Sequence, residues 1–346
     1  MLMNKENPFT ITFGKQPEKQ VSRYEDTDRI VSTFCADHAV SQTFLIDGVR
    51  GSGKTVLMTT VARILEKDKG WIVINLNPTM DLLSNFAIRL HETCNKIPGI
   101  FTKGFSVSAA GFGIGMNAEE KTTDHVGMIE KIFGRLIKKK QKVLVTIDEV
   151  IHDNNMRIFA SQYQIFVRQD FPVFLIMTGL YENISEIQND PSLTFLLRSP
   201  RITMSSLSIM QITRQYRDIF DLKEESAQKL AALTKGYAFA FQALGVSYWN
   251  NHTKGEKAVL EEYDGLLDDF VYKKIWSLLS QKEREIVSSI TEETVKVGDI
   301  CKEISMNSST FSKYRDTLIR KGILTAPLYG HVSLALPRFY EIVKNY

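Results

Sequence analysis

The sequence predicts an α/β fold: a three-layer parallel sheet covered by helices, then an α-helical segment, then a C-terminal winged helix-turn-helix. Three observations carry this. Strand-like apolar runs alternate with helix-period patterns over the first two thirds of the chain, and the strand signal stops near residue 205. A capped helix, a second pair of helices and a short hairpin then fill the C-terminal part.

The predicted strands are 43–47, 71–76, 143–147, 173–178 and 202–204, apolar runs of the kind found where a sheet is covered on both faces. Helices between them are expected over 54–69, 81–95, 123–140 and 154–169, where apolar residues recur at three and four spacing. One stretch departs from this. Over 105–116, Phe105, Val107 and Ala109 alternate with serines, and Phe112, Ile114 and Met116 alternate with glycines, a period of two that predicts an inserted β-hairpin. Its glycine spacing is not a dinucleotide fingerprint, because no strand precedes it and no helix of the required kind follows. Such a hairpin either caps the core or offers an edge to a partner. Residues 209–265 read as helical throughout.

With 346 residues the chain is long enough for two or three domains. The division expected is 1–206 for the α/β core with its inserted hairpin, 207–268 for the helical segment and 269–346 for the C-terminal module. A hydrophobic content of 43% and a charged content of 24% exclude wholesale disorder and a fibrous repeat. The net charge of +3 is too small for the whole surface to attract polyanions, so any nucleic-acid face has to be local. Cys35, Cys94 and Cys301 are far apart in sequence, form no CxxC pair, and are read as buried small hydrophobes in a reducing compartment. The N-terminal stretch lacks the apolar core of a signal peptide, and the longest apolar run, 171–180, is too short to span a bilayer. A cytoplasmic protein is expected.

The chemistry is concentrated after the first strand. Gly48-Val49-Arg50-Gly51-Ser52-Gly53-Lys54-Thr55 matches G-x-x-x-x-G-K-[ST], directly follows a strand and opens a helix, the context a P-loop (Walker A) requires. Its glycines let backbone N–H groups turn inward onto phosphates, and the helix N-terminus adds a positive dipole end. Lys54 is expected to reach the β and γ phosphates of ATP, and the Thr55 hydroxyl to ligate Mg²⁺. Downstream, the strand 143–147 ends in Asp148 and Glu149. Asp148 is expected in the Walker B role, holding Mg²⁺, and Glu149 as the general base that polarises the attacking water.

Thr178 closes the next buried strand, where open α/β sheets bind ligands. It either orients the lytic water or simply begins the turn before Gly179. Arg198 and Arg201 flank Ser199-Pro200 ahead of the last strand, and each is a candidate for the cation that neutralises γ-phosphate charge, in a neighbouring subunit, or a surface arginine. His152 beside Asp153 reads as a loop rather than a metal site. Lys138-Lys139-Lys140 ends a helix, where cations complement the dipole.

Together these residues resemble the AAA+ superfamily and its relatives the STAND ATPases, most closely the single-chain prokaryotic ATPases with a terminal winged helix. Initiators of the origin-recognition type are more distant cousins. The resemblance runs through 17–23, the P-loop, Ile147-Asp148-Glu149, Thr178-Gly179-Leu180 and Leu233-Thr234-Lys235-Gly236-Tyr237-Ala238-Phe239. It implies a P-loop NTPase core that is an ATPase, a lead-in ending at Arg23 beside the adenine, and a helical lid whose Gly-aromatic-Pro element faces the nucleotide. Two departures stand out: Ala238 occupies the usual proline position, and the lid helix from 227 to 249 contains no arginine. Without a lid arginine of the sensor 2 kind, slow hydrolysis or a nucleotide switch is the expected behaviour.

Ser280-Gln281-Lys282-Glu283 is a capping box that opens a helix bearing Ile286, Val287 and Ile290. A short helix over 297–305, a second over 309–321 stopped by Gly322, and strands 323–325 and 332–336 around Leu328-Tyr329-Gly330-His331 complete a winged helix-turn-helix pattern. Residues 271–346 hold 12 Lys or Arg against 8 Asp or Glu. On the recognition-helix candidate, Ser309, Thr310, Ser312, Lys313 and Arg315 suit phosphates and base edges of duplex DNA, while Phe311, Tyr314 and Leu318 pack inward. Winged helices also dock proteins. Two functions therefore follow: an ATPase that couples nucleotide state to DNA binding, or a STAND-like regulatory ATPase whose winged helix and hairpin bind a protein partner or a second copy. A small-molecule kinase would leave the winged helix idle.

Overall fold

The computed structural model describes residues 6–12, 17–98, 100, 124–344 and 346. Contacts group the chain into two compact units, one of Glu25–Asp47 and Leu57–Ile202, the other of Met1–Tyr24, Gly48–Val56 and Thr203–Tyr346. The hairpin expected at 105–116 lies outside the described residues.

In chain order the elements are α1 (Tyr24–Cys35), β1 (Thr43–Asp47), α2 (Lys54–Glu66), β2 (Trp71–Leu76), α3 (Leu82–Asn95), α4 (His125–Lys138), β3 (Lys142–Ile147), α5 (Asn154–Arg168), β4 (Val173–Gly179), α6 (Tyr181–Gln188) and β5 (Arg201–Thr203). The five strands form one sheet in the order β2-β3-β4-β1-β5. The β2–β3, β3–β4 and β1–β4 pairings are parallel. Position in the sheet explains the strand sequences. All five residues of β1 and all seven of β4 are buried, as interior strands covered on both faces must be, whereas β2 at the edge has partly exposed positions.

Helix starts follow local chemistry. Asp81, Asp124 and Asp153 each accept a hydrogen bond from a backbone N–H in the first turn of α3, α4 and α5. Phe86, Phe133, Phe159 and Phe166 from these helices pack with Val143, Val145 and Leu175 of the sheet. On the other face of the sheet, α1 brings Phe34 onto Phe44, Trp71 and Phe174, and the Lys142 ammonium lies over the last two rings. Helix α1 was not among the predicted helices: its charged first turn and two buried residues, Ile30 and Phe34, leave little apolar period to detect. Cys35, at the end of α1, is exposed, which corrects the expectation that all three cysteines are buried; Cys94 is buried, and burial pushes its thiol up to about 12.

The second unit contains α7 (Ile209–Phe220), α8 (Glu224–Ala232), α9 (Ala238–Asn251), α10 (Glu256–Leu267) and α11 (Lys273–Leu278), the last two joined by the π-helical turn Asp268–Tyr272. It continues with α12 (Gln281–Ser288), β6 (Val295–Lys296), α13 (Val297–Glu303), α14 (Ser308–Arg320), β7 (Leu324–Thr325), β8 (His331–Leu334) and α15 (Phe339–Val343). The N-terminal segment belongs to this core. Phe9 packs against Tyr216, Phe220 and Phe241, and Gly245 makes room for its ring.

The capping box at Ser280 and Glu283 forms as read, and Glu283 also pairs with Lys321 at 2.8 Å, joining α12 to the end of α14. Helices α13 and α14, followed by the β7–β8 pair with β6 beside β8, have the element order of a winged helix-turn-helix. Strand β6 was missed because two residues carry no alternation.

Candidate functional site

The loop between β1 and α2 is shaped by glycines and held by donors from other segments of its unit. Gly51 and Gly53 adopt φ of +77° and +94°, a conformation that side chains beyond glycine rarely take. Gly51 also has no space for one, since a Cβ there would meet the Tyr237 hydroxyl and come within 3.0 Å of the Phe239 Cβ. The Lys54 ammonium donates to the carbonyls of Gly48 (3.0 Å) and Val49 (3.1 Å). Arg23 donates to the Ser52 carbonyl at 3.2 Å and to that of Ser205 at 2.6 Å. The Tyr237 hydroxyl donates to the Arg50 carbonyl, and the Phe239 N–H to that of Gly51 at 3.0 Å.

The Ser52 hydroxyl is buried and, among the described residues, has no hydrogen-bond partner. An orphaned buried hydroxyl, backbone N–H groups and a buried ammonium form a donor set that fits phosphate. Arg23, placed by the resemblance beside adenine, is found bracing the loop.

In the other unit the strand ends converge. Thr178 is fully buried, and its hydroxyl donates to the Asp148 carboxylate. Glu149 sits at φ +53°, turning the chain off the β3 line, and its N–H faces Asp148 Oδ1 (3.1 Å) and Thr178 Oγ1 (3.4 Å). The Val150 N–H then bonds the Thr178 carbonyl at 2.8 Å. Asp148 lines an open cavity of about 330 Å³ between α2 and the ends of β2 and β3, so its carboxylate is accessible to a hydrated cation. A carboxylate oriented by a buried hydroxyl, with a second, exposed carboxylate next in sequence, has the make-up of a Mg²⁺ and water site.

The two candidate arginines differ. Arg198 ends the 3-10 turn Thr194–Arg198 and is exposed, without an ion pair among the described residues. Arg201 turns inward: it pairs with the fully buried Asp47 at 2.5 Å, reaches Ser185 and Gln188 at 3.2 Å, and lies 4.7 Å over the Tyr181 ring. It braces the end of β1 just before the P-loop, leaving Arg198 as the arginine offered outward. His152 contacts Asp190 at 2.7 Å, and Arg157 does so at 2.6 Å. With the hydrogen bonds from Ser192, these partners hold the Asp190 carboxyl well below the usual range.

On α14, Asn307 caps the helix through the Thr310 N–H, and Ser309 also donates to Asn307 at 2.9 Å. Lys313 is exposed, Ser312 is half-buried, and Arg315 bonds Asp316 at 3.0 Å. Phe311 and Leu318 are fully buried, as expected, and Tyr314 is half-buried. At the tip between β7 and β8, Leu328 and Tyr329 are exposed.

The chain is similar to the Aeropyrum pernix ORC2 protein in its ADPNP–ADP complexes, at 12% identity over 96% of each chain with a TM-score of 0.63. The ADP form of that protein matches with a TM-score of 0.53, again at 12% identity and 96% coverage of each chain. The chain has the fold of that ORC2 protein. Cdc6p from Pyrobaculum aerophilum gives a TM-score of 0.48 at 15% identity over 96% of each chain. Residues 269–343 match a family model described as a domain of unknown function, DUF8462. No curated protein matches the sequence. No helix among the described residues is long and apolar enough to cross a membrane.

Two contributors to the site were not read from the sequence as such. The Asp47–Arg201 pair had no signal, since neither residue belongs to a motif. Tyr237 stood inside the quoted stretch 233–239, but nothing there pairs its hydroxyl with Arg50.

Proposed function

We propose that this protein binds ATP with Mg²⁺ and hydrolyses it slowly, and that its nucleotide state governs binding of duplex DNA by the C-terminal module. Residues 1–206 act as the ATPase core, 207–268 as the lid and 269–346 as the winged helix. The observation that carries the ATP reading is the glycine-rich loop Gly48–Thr55, with an orphaned Ser52 hydroxyl and a buried Lys54. In this reading Gly48, Val49, Arg50, Gly51, Ser52, Gly53 and Lys54 hold the phosphates, and Thr55 and Asp148 hold Mg²⁺, which would neutralise charge on the phosphate oxygens. Thr178 keeps the Asp148 carboxylate in its working orientation. Glu149, exposed next to it, takes the proton of the attacking water. Arg198, exposed and without an ion pair among the described residues, serves a neighbouring copy where copies assemble.

Coupling to the C-terminal module is supported by one contact. The Gly322 backbone at the end of α14 lies against the Val49 side chain, with room for a Cβ only 3.3 Å from the Val49 Cβ. A rearrangement of Val49 on phosphate binding is therefore felt at the end of the helix that carries Ser309, Thr310, Ser312, Lys313 and Arg315. Affinity for a duplex, measured at fixed salt in the apo, ADP and ATP states, tests this; identical affinities in all three refute the coupling.

A second reading, a STAND-like regulatory ATPase with a protein partner, is favoured by the exposed Leu328 and Tyr329 at the wing tip. Salt-dependent duplex binding that survives Tyr329→Ser but fails in Lys313→Glu supports the DNA reading. A wild type that shows no salt-dependent duplex binding but holds a protein partner that Tyr329→Ser releases supports the protein-partner reading.

A further inference from the structure

Five successive carbonyls of the phosphate loop, Gly48 to Ser52, are each engaged by a donor. Lys54 takes the first two, and the loop's own Ser52 N–H also donates to that of Val49 at 3.2 Å. Tyr237 takes that of Arg50, the Phe239 N–H that of Gly51, and Arg23 that of Ser52. A trans peptide unit directs its C=O and N–H to opposite sides, so anchoring a carbonyl fixes the direction of the next residue's N–H. The donors fall into two classes. Lys54 belongs to the loop's own helix, and its ammonium is the group an arriving phosphate would draw away. Tyr237 and Phe239 come from the start of α9, and Arg23 from the N-terminal lead-in.

We propose that Tyr237 and Arg23 are positioning residues: by holding the carbonyls of Arg50 and Ser52 from outside, they aim the loop's N–H groups at the phosphates, and Tyr237 thereby ties lid placement to phosphate affinity. This rests on the reading of the loop as a nucleotide phosphate site. Tyr237 is suited to the task. It is buried, its ring packs against Gly51, and burial pushes its phenol far up, so that it stays a donor across the pH range of the folded protein. Tyr237→Phe keeps the ring and removes only the hydroxyl that donates to the Arg50 carbonyl, so it isolates the effect of that bond on the loop. Linkage makes the coupling reciprocal: a lid displaced from the loop weakens ADP binding, and bound ADP favours the docked lid.

The test uses the full chain with Tyr237→Phe and, independently, Arg23→Gln, each measured for ADP affinity, for amide exchange at Gly51 and Gly53, and for melting temperature. Loss of one hydrogen bond that orients the loop is expected to weaken ADP binding roughly three- to tenfold. Exchange of the loop amides should accelerate, while melting barely moves. Lys54→Ala serves as the reference. If Lys54→Ala loses ADP while both variants bind it as the wild type does, the loop is oriented without these residues and the proposal is overturned, with the phosphate site intact. A fall in ADP affinity that tracks a fall in melting temperature, with loop exchange unchanged, overturns it as well, because the role is then structural. If Lys54→Ala itself binds ADP normally, the phosphate-site reading fails, and the positioning role fails with it. Where Tyr237→Phe does not fold, Arg23→Gln, on a half-exposed residue, carries the same comparison through the Ser52 carbonyl.

Discussion

The phosphate loop and the carboxylate pair are both turns that follow a buried strand, yet they are held in different ways. Asp148 and Glu149 are oriented by the adjacent strand: the Thr178 hydroxyl and carbonyl on β4 bond Asp148 and the Val150 N–H. The loop over Gly48–Gly53 is oriented by donors remote in sequence, Arg23 before it and Tyr237 and Phe239 on the far side of the chain. A strand end inherits its geometry from the sheet, whereas a glycine-rich loop, free to take many conformations, needs outside anchors. Binding and turnover should therefore respond to different substitutions.

The largest effect is expected at Lys54. Lys54→Ala removes the charged donor of the cradle and should weaken ATP and ADP binding by about 100-fold or more, checked by titration calorimetry. Glu149→Gln should do the opposite, leaving ATP affinity within a factor of about two while turnover at saturating ATP falls by roughly 100-fold. Equal loss of binding in both variants would erase the distinction between the two regions.

Asp47→Ala probes the frame that both regions share with β1. It leaves the inward Arg201 without its carboxylate and should lower stability by about 3 kcal/mol in denaturant unfolding. Thr178→Ala sharpens the comparison at the strand end. Without its buried donor, Asp148 should support turnover about tenfold more slowly, with ADP binding in the absence of Mg²⁺ unchanged.

The smallest effect is a pH dependence at Asp190. Its carboxyl is depressed in the folded state, so the stability it contributes is fully present above the unfolded carboxylate value of about 4 and is lost as pH falls through the folded value. Asp190→Asn should flatten the acid side of the melting profile below about pH 4 and leave neutral pH activity alone.

Much of this molecule was legible before any coordinates. Gly48–Thr55, the strand ending at Asp148, the Ser280 capping box and the start of α14 are properties of neighbouring residues: turn preferences, helix and strand periods and cap chemistry act over a few positions. That α1 covers one face of the sheet, that Cys35 is exposed and that Phe9 packs into the helical segment were not, because a short amphipathic stretch reveals its partner only when that partner is in place.

The amino-acid sequence alone therefore determined the α/β class and marked Gly48–Thr55 and Asp148–Glu149 as the candidate site. Tertiary structure decided the strand order β2-β3-β4-β1-β5, the inward pairing of Arg201 with Asp47, and the bond from Tyr237 to Arg50 across 187 residues. The physical reason is range. Periodicity and motif spacing record interactions between near neighbours, while a hydrogen bond between remote residues depends on how the whole chain packs and leaves no mark on either local sequence.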